Sequence, residues 1–272
     1  MSAPNSIFPA HCEWPQAIDD VRKAPLDAAA IRLIARARFL EELQSRGGLK
    51  ALWCFDVDTE ALHKICECSS LESLYIDGIV TSDLGVLRKL RGLKILRLEA
   101  CTRVTSFDDL GQLVSLRGLA LTHFANVHDL GPLSGLRQLT ALAVSGSMWT
   151  RMRVASFAPL ASLKQLELLH LTNIKAEDES LTPLGTLTGL KHLDLANFYP
   201  SKEFAVLSQN LKSTECSWFK PFTEVGFAKC ERCGGKKAML TGKRKPIICP
   251  RCQRDKFERH LREWTEAIRH AA

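Results

Sequence analysis

Leucines in this 272-residue chain recur in a fixed register: Leu71-x-x-Leu74-x-Ile76, Leu93-x-x-Leu96-x-Leu98, Leu116-x-x-Leu119-x-Leu121, Leu139-x-x-Leu142-x-Val144, Leu163-x-x-Leu166-x-Leu168 and Leu190-x-x-Leu193-x-Leu195. First positions step by 22, 23, 23, 24 and 27 residues. Helical packing repeats its apolar positions every 3.6 residues and does not keep a register of this length, so the alternative, an ordinary leucine-rich helical protein, fits the pattern poorly. Within each unit the fourth and sixth positions alternate with polar or small residues, which suits a short strand with one buried face. One such unit cannot bury its own apolar side, so several must stack, each adding a strand to a parallel sheet.

After each strand, apolar residues follow at spacings of three: Cys101, Val104, Phe107, Leu110 and Leu113 in one unit, Phe124, Val127, Leu130, Leu133 and Leu136 in the next. That spacing suits an irregular or 3₁₀ return segment, whose positions i and i+3 share a face. Over roughly residues 49–219 the sequence resembles the leucine-rich repeat superfamily, and most closely the short repeats of internalins and of phosphatase-regulatory leucine-rich proteins. The resemblance implies an α/β solenoid, a horseshoe with a parallel concave sheet. It departs from those families at the ninth position, where they carry a buried asparagine. Here that position reads Val57, Ile79, Cys101, Phe124, Ser147, Leu171, Phe198 and Phe219.

Three segments follow from these patterns. Residues 1–48 form an N-terminal lead-in and a capping helix. The helix runs from Ala28 to Ser45 behind Asp27 as N-cap, with Ile31, Ile34, Ala35, Phe39, Leu40 and Leu43 as its stripe and Gly47-Gly48 as its stop. Residues 49–219 form the solenoid of about seven to eight units. A degenerate first unit begins at Leu49-Lys-Ala-Leu52-Trp-Cys54, and a closing one at Leu211-Lys-Ser-Thr214-Glu-Cys216. Insertions at 145–154 and 175–180 are expected to bulge from one side. Residues 220–272 form a small C-terminal module.

That module carries the chemistry. Cys230-x-x-Cys233 and Cys249-x-x-Cys252 give the spacing C-x2-C-x15-C-x2-C. Two tight knuckles at this spacing supply four thiolates to a tetrahedral ion, and Gly234 permits the positive φ that the first knuckle needs. The segment resembles the zinc-ribbon family, which implies one structural Zn2+ with no ligand position open for catalysis. Asp255–His270 reads as a helix whose Phe257, Leu261, Trp264 and Ile268 pack on the ribbon or the solenoid end. His63, Cys66 and Cys68 lack a clear fourth ligand for a second metal.

Net charge is +7, unevenly placed: residues 220–272 carry +8 and the remainder −1. No apolar run is long enough to span a bilayer, and the N-terminus lacks a basic stretch followed by an apolar core. Ten cysteines, four of them in metal-ligand spacing, fit a reducing compartment. The expectation is a cytoplasmic protein without a membrane association.

Strand residues between the inward leucines face the concave side. The fifth position reads Trp53, Tyr75, Arg97, Ala120, Ala143, Glu167, Asp194 and Glu215, and the seventh includes Phe55, Asp77 and Glu99. Trp53, Tyr75, Arg97, Glu99, Glu167 and Asp194, with Trp149 in the insertion, are the candidate partner-binding residues. Exposed aromatics bury much area at small rotamer cost, and an acidic end favours a basic partner segment. Leucine-rich repeats usually act in protein recognition, so the resemblance implies a non-catalytic interaction scaffold rather than an enzyme. None of the nucleotide-binding, metalloprotease or serine-hydrolase motifs occurs, and no small-molecule substrate is expected. The competing expectation is nucleic-acid binding through the basic tail, by Lys236, Lys237, Lys243, Arg244 and Lys245.

Overall fold

The computed structural model describes residues 14–271. Each unit lays down one short strand: β1 Ala17–Asp20, β2 Ala30–Arg38, β3 Ala51–Val57, β4 Ser73–Ile79, β5 Ile95–Glu99, β6 Gly118–Thr122, β7 Ala141–Ser145, then β8 Met152–Val154, β9 Leu168–Leu171, β10 Ile174–Ala176 and β11 His192–Leu195. All but β8 and β10 join one nine-stranded parallel sheet, and those two pair with each other in a second, smaller one. The main sheet's register aligns Leu52, Leu74, Leu96, Leu119, Leu142, Leu169 and Leu193 in one column. None of the seven is more than 3% exposed.

Short 3₁₀ segments bring the chain back, as the three-residue spacing predicts: Gly85–Lys89, Leu110–Gln112, Gly131–Gly135, Ala158–Ser162 and Thr182–Thr186. Near the N-terminal end α1, Thr59–Ile65, takes this place, capped by the Asp58 side chain accepting from Ala61 N at 2.8 Å. In the last turn α2, Ser201–Asn210, does so.

Two features replace the missing asparagine. In five units the eighth residue turns the chain in the left-handed region: Asp56, Gly78, Ala100, His123 and Asn173 have φ between 49° and 82°. There the backbone satisfies itself. Ala100 N donates to Thr122 O, His123 N to Ser145 O and Gly146 N to Thr172 O, so the ladder continues past the strand. The ninth position is thereby free to be apolar, and Val57, Ile79, Cys101, Phe124 and Ile174 are all buried there.

Three expectations need correction. The unit aligned on Leu163, Leu166 and Leu168 is framed on Leu166, Leu169 and Leu171, because Leu142 pairs with Leu169. The closing unit is also displaced, since Glu215 pairs with His192 and Cys216 packs against the core. Finally, residues 28–45 are not a capping helix. They form β2 and a 3₁₀ turn, Leu40–Ser45. An open parallel edge leaves backbone groups unpaired, and a strand at β2, itself paired by β1, satisfies them where a helix could not. The solenoid thus starts ahead of residue 49, and residues 1–13 of the expected lead-in lie outside the described residues.

The corrected frame leaves one long unit, of 27 residues from Leu139 to Leu166. Its surplus is Ser147–Arg151, because Met152 pairs with Ile174 at the ninth position. The loop's ends meet: a Cβ on Gly146 would lie 2.8 Å from Met152 N. Deleting residues 147–151 is expected to change unfolding free energy by no more than about 1 kcal/mol, since loop length is a weak term. Urea denaturation checks this, and a larger loss would mean that the loop holds the repeat together.

Candidate interaction face and metal centre

With register settled, the outer face of the sheet carries Arg32, Trp53, Tyr75, Arg97, Ala120, Ala143, His170 and Asp194 in one row. His170 stands where Glu167 was expected. Glu167 precedes β9 and pairs instead with Lys191 at 2.8 Å. His170 Nδ1 lies 3.7 Å from Asp194 Oδ2, and His192 Nδ1 lies 2.9 Å from Glu215 Oε2. The far end is therefore a set of histidine–carboxylate pairs rather than a purely acidic column. Small residues Gly118, Ala120, Ala141 and Ala143 occupy the centre.

The aromatic end is not open, as the sequence led us to expect. Trp53 and Tyr75 are buried, and what covers them is Trp14. Its ring lies 4.9 Å from Tyr75, 5.9 Å from Trp53 and 6.3 Å from Phe55, centroid to centroid. Beyond Tyr75 the row is tied down by polar contacts. Tyr75 donates from its hydroxyl to Glu99 Oε2 at 3.0 Å, and Arg97 Nε donates to Glu99 Oε1 at 2.9 Å. Trp149 is the opposite case: it is 90% exposed and Met148 84% exposed, while Arg151 lies over the Phe198 ring at 3.8 Å.

The four cysteines come together. A three-stranded antiparallel sheet, β12 Phe222–Lys229, β13 Lys236–Leu240 and β14 Ile247–Ile248, places Cys230 and Cys233 in the turn after β12 and Cys249 after β14. Helix α3, Arg254–Ala271, starts directly behind Cys252. Their sulfurs all lie within 4.8 Å of one another, with Cys230–Cys252 at 3.8 Å and Cys233–Cys249 at 3.5 Å. A tetrahedral ion with metal–sulfur bonds of about 2.3 Å needs sulfurs roughly 3.8 Å apart, so the site can hold a metal. As expected, Gly234 has positive φ, 68°, and its N–H donates to Cys230 O at 2.8 Å.

The thiols are in electrostatic conflict. Backbone N–H groups of Cys233 and Arg232 pull Cys230 down to about 6, while hydrogen bonding to Cys233 pushes Cys252 up to about 12. A dication removes that conflict by favouring the thiolate at every position. The solenoid cysteines differ in the cause of their shifts. Burial pushes Cys66 and Cys101 up to about 12, which suits thiols acting as small hydrophobes. Among the described residues the four-cysteine group is the one cluster able to hold a metal, so His63, Cys66 and Cys68 do not assemble one.

The basic residues between the knuckles do not form a free arm. Gly242 N donates to Asn197 Oδ1 at 2.7 Å, Lys243 N donates to Tyr199 O at 2.7 Å, and the Lys243 ammonium pairs with Glu179. At Gly242 a Cβ would sit 2.9 Å from Ser201 N, with φ at 126°, so the turn is seated against the start of α2. Lys245 pairs with Glu263 at 3.0 Å and Lys236 with Glu224 at 2.8 Å. Of the five lysines and arginines expected to meet nucleic acid, Lys237 and Arg244 have no ion-pair partner among the described residues. Lys175 and Lys243 together hold Glu179 down to about 2. The joint is completed by α3, whose Trp264 enters the solenoid core with Ile268 beside it, while Phe257 meets Phe222 of the ribbon at 4.9 Å.

No helix among the described residues is long and apolar enough to cross a membrane. No protein-family model and no curated protein sequence matches the chain. Solved structures do. The internalin inlF of Listeria monocytogenes aligns with a TM-score of 0.50 at 19% identity, over 68% of this chain and 50% of that one. Internalin C2 (inlC2) of the same organism aligns with a TM-score of 0.50 at 23% identity, over 62% and 72%. This chain thus spans half the length of the inlF structure, and the likeness, together with the nine-stranded parallel sheet, gives it the fold of a leucine-rich repeat solenoid.

Proposed function

We propose that this protein is a non-catalytic scaffold that holds a partner protein against the outer face of its parallel sheet, with a structural zinc module fastening the C-terminal end of the solenoid. The observation that carries the reading is the composition of that face. Small residues at Gly118, Ala120, Ala141 and Ala143 let a chain approach the sheet, while Asp194 and the histidine pairs on one side and Arg97 on the other supply direction. The exposed Trp149 and Met148 sit in the loop leaving β7, where they add an anchor of the kind that dominates interface energy. A partner segment rich in lysine or arginine suits Asp194 and Glu215. The same face is poor ground for catalysis: the His170–Asp194 pair stands on an open sheet rather than in a pocket that excludes water. A reducing, cytoplasmic setting fits free thiols and a thiolate metal site.

The test is Ala143→Arg with Asp194→Lys, which fills the centre and reverses the charge of one end. Affinity capture by this variant should lose any partner retained by the wild-type chain, by at least about tenfold, with a melting shift of a few degrees at most. A control at the exposed Arg137, in the connection ahead of β7, Arg137→Glu, should keep it. Equal loss in the control, or equal retention in both, overturns the reading.

A further inference from the structure

We infer that the platform of Trp53, Phe55 and Tyr75, bordered by Arg32 and Arg97, is a docking site for a tryptophan-bearing peptide segment, and that Trp14 of this chain occupies it in cis. This rests on the outer sheet face being the binding face. Three observations support it. Trp14, Trp53 and Tyr75 form a cluster of their own, separate from the continuous leucine core, so the seat is additional to the solenoid's packing. Its walls are braced without Trp14, because Glu99 receives both the Tyr75 hydroxyl and the Arg97 guanidinium. And the Arg32 guanidinium, 5.2 Å from the Trp14 ring and 5.5 Å from Phe55, has a buried Nε with no hydrogen-bond partner. An arginine on an aromatic seat that lacks a carboxylate partner among the described residues suits a ligand bringing an indole for the rings and an acid for the guanidinium.

Trp14 comes from the chain just ahead of the edge strand β1, so it reaches across strands β3 and β4 from outside the repeat. A segment bound this way closes the seat to an external ligand in proportion to the time it is down. Apparent affinity for a second tryptophan segment then falls by the fraction of molecules in which the seat is open.

The experiment uses the full chain and a fluorescein-labelled synthetic peptide covering residues 10–18, with Cys12→Ser. The Trp14→Ala variant should bind the peptide at least about tenfold more tightly than wild type does, in keeping with an occluded seat. Adding Arg32→Ala should reverse the gain, and a peptide with Trp14→Ala should not bind. A Trp14→Ala protein that keeps its near-ultraviolet circular dichroism and yet binds no peptide, or binds it as wild type does, overturns the inference. Should Trp14→Ala not fold, the wild-type chain decides. Its Trp14 indole N–H should exchange with solvent at least about 100-fold faster than the Leu52 and Leu74 amides, as a locally opening segment does. Exchange at the same rate would make Trp14 part of the cooperative fold and end the idea. A negative result here with partner capture still lost in Ala143→Arg/Asp194→Lys would leave the scaffold reading intact.

Discussion

On the zinc site proposed above, chelation of the metal should release the whole C-terminal end of the molecule, not the ribbon alone. The ribbon's sheet has a two-residue third strand, and among the described residues its buried apolar side chains are few: Val225, Ala238, Leu240 and Ile248. Such a module cannot offset its chain entropy by burial, whereas a four-thiolate zinc site supplies on the order of 10 kcal/mol. Cys252 is followed at once by α3, and α3 carries Trp264 into the core of the solenoid. Loss of the second knuckle therefore frees the start of the helix that packs against α2 of the last turn. On treatment with a strong chelator at neutral pH, amides of residues 222–271 are expected to lose protection from exchange, while β4 to β7 keep theirs. Trp264 emission should shift to the red, a change absent from Trp264→Phe. Cys252→Ser should reproduce both changes. A protein stripped of metal whose α3 amides and Trp264 emission stay as before would show that the cysteines are no staple.

The cysteine cluster was legible in the sequence, because its spacing is local: two C-x-x-C pairs and a glycine define their own geometry. What they dock against was not. The Lys243–Glu179 pair spans 64 residues, and a run of lysines reads as a free basic arm until its acids are found. Within the solenoid the leucine column was legible for the same reason that it is stable: it repeats. The frame failed where Leu163, Leu166, Leu168, Leu169 and Leu171 satisfy the pattern in two ways, and again at the degenerate closing unit, where Glu215 pairs with His192. Pairing to β7 chooses between them, and pairing is not written in a single unit. At the other end, Ile31 and Leu33 show the period of a strand while Ile31, Ile34 and Ala35 show that of a helix. The unpaired edge of β3 decides in favour of the strand. Trp14 lay in a segment without periodicity, so nothing in the sequence pointed to its seat on Trp53 and Tyr75.

Truncating Phe124 should produce the largest loss of stability of any single apolar change in the middle repeats. Its ring is fully buried at the ninth position and meets Phe107 edge to face at 5.2 Å, so two successive turns are keyed together there. Phe124→Ala leaves a cavity lined by side chains that the strand ladder holds in place, and a cost of about 3–5 kcal/mol is expected. Because each unit touches only its neighbours, the damage should also divide the solenoid, broadening urea unfolding into two transitions. Phe124→Asn tests why this chain does without an asparagine ladder. The N–H of His123 is already bonded to Ser145 O at 2.9 Å, as Ala100 N is to Thr122 O at 3.0 Å. A buried carboxamide would thus meet a backbone that has given its donors to the next unit, adding roughly 1–3 kcal/mol of unmet desolvation to the lost ring. Asn should therefore be no better than Ala. If Phe124→Asn proved as stable as the parent in urea, the turn would contain unsatisfied amides after all, and the backbone ladder could not be what allows an apolar ninth position.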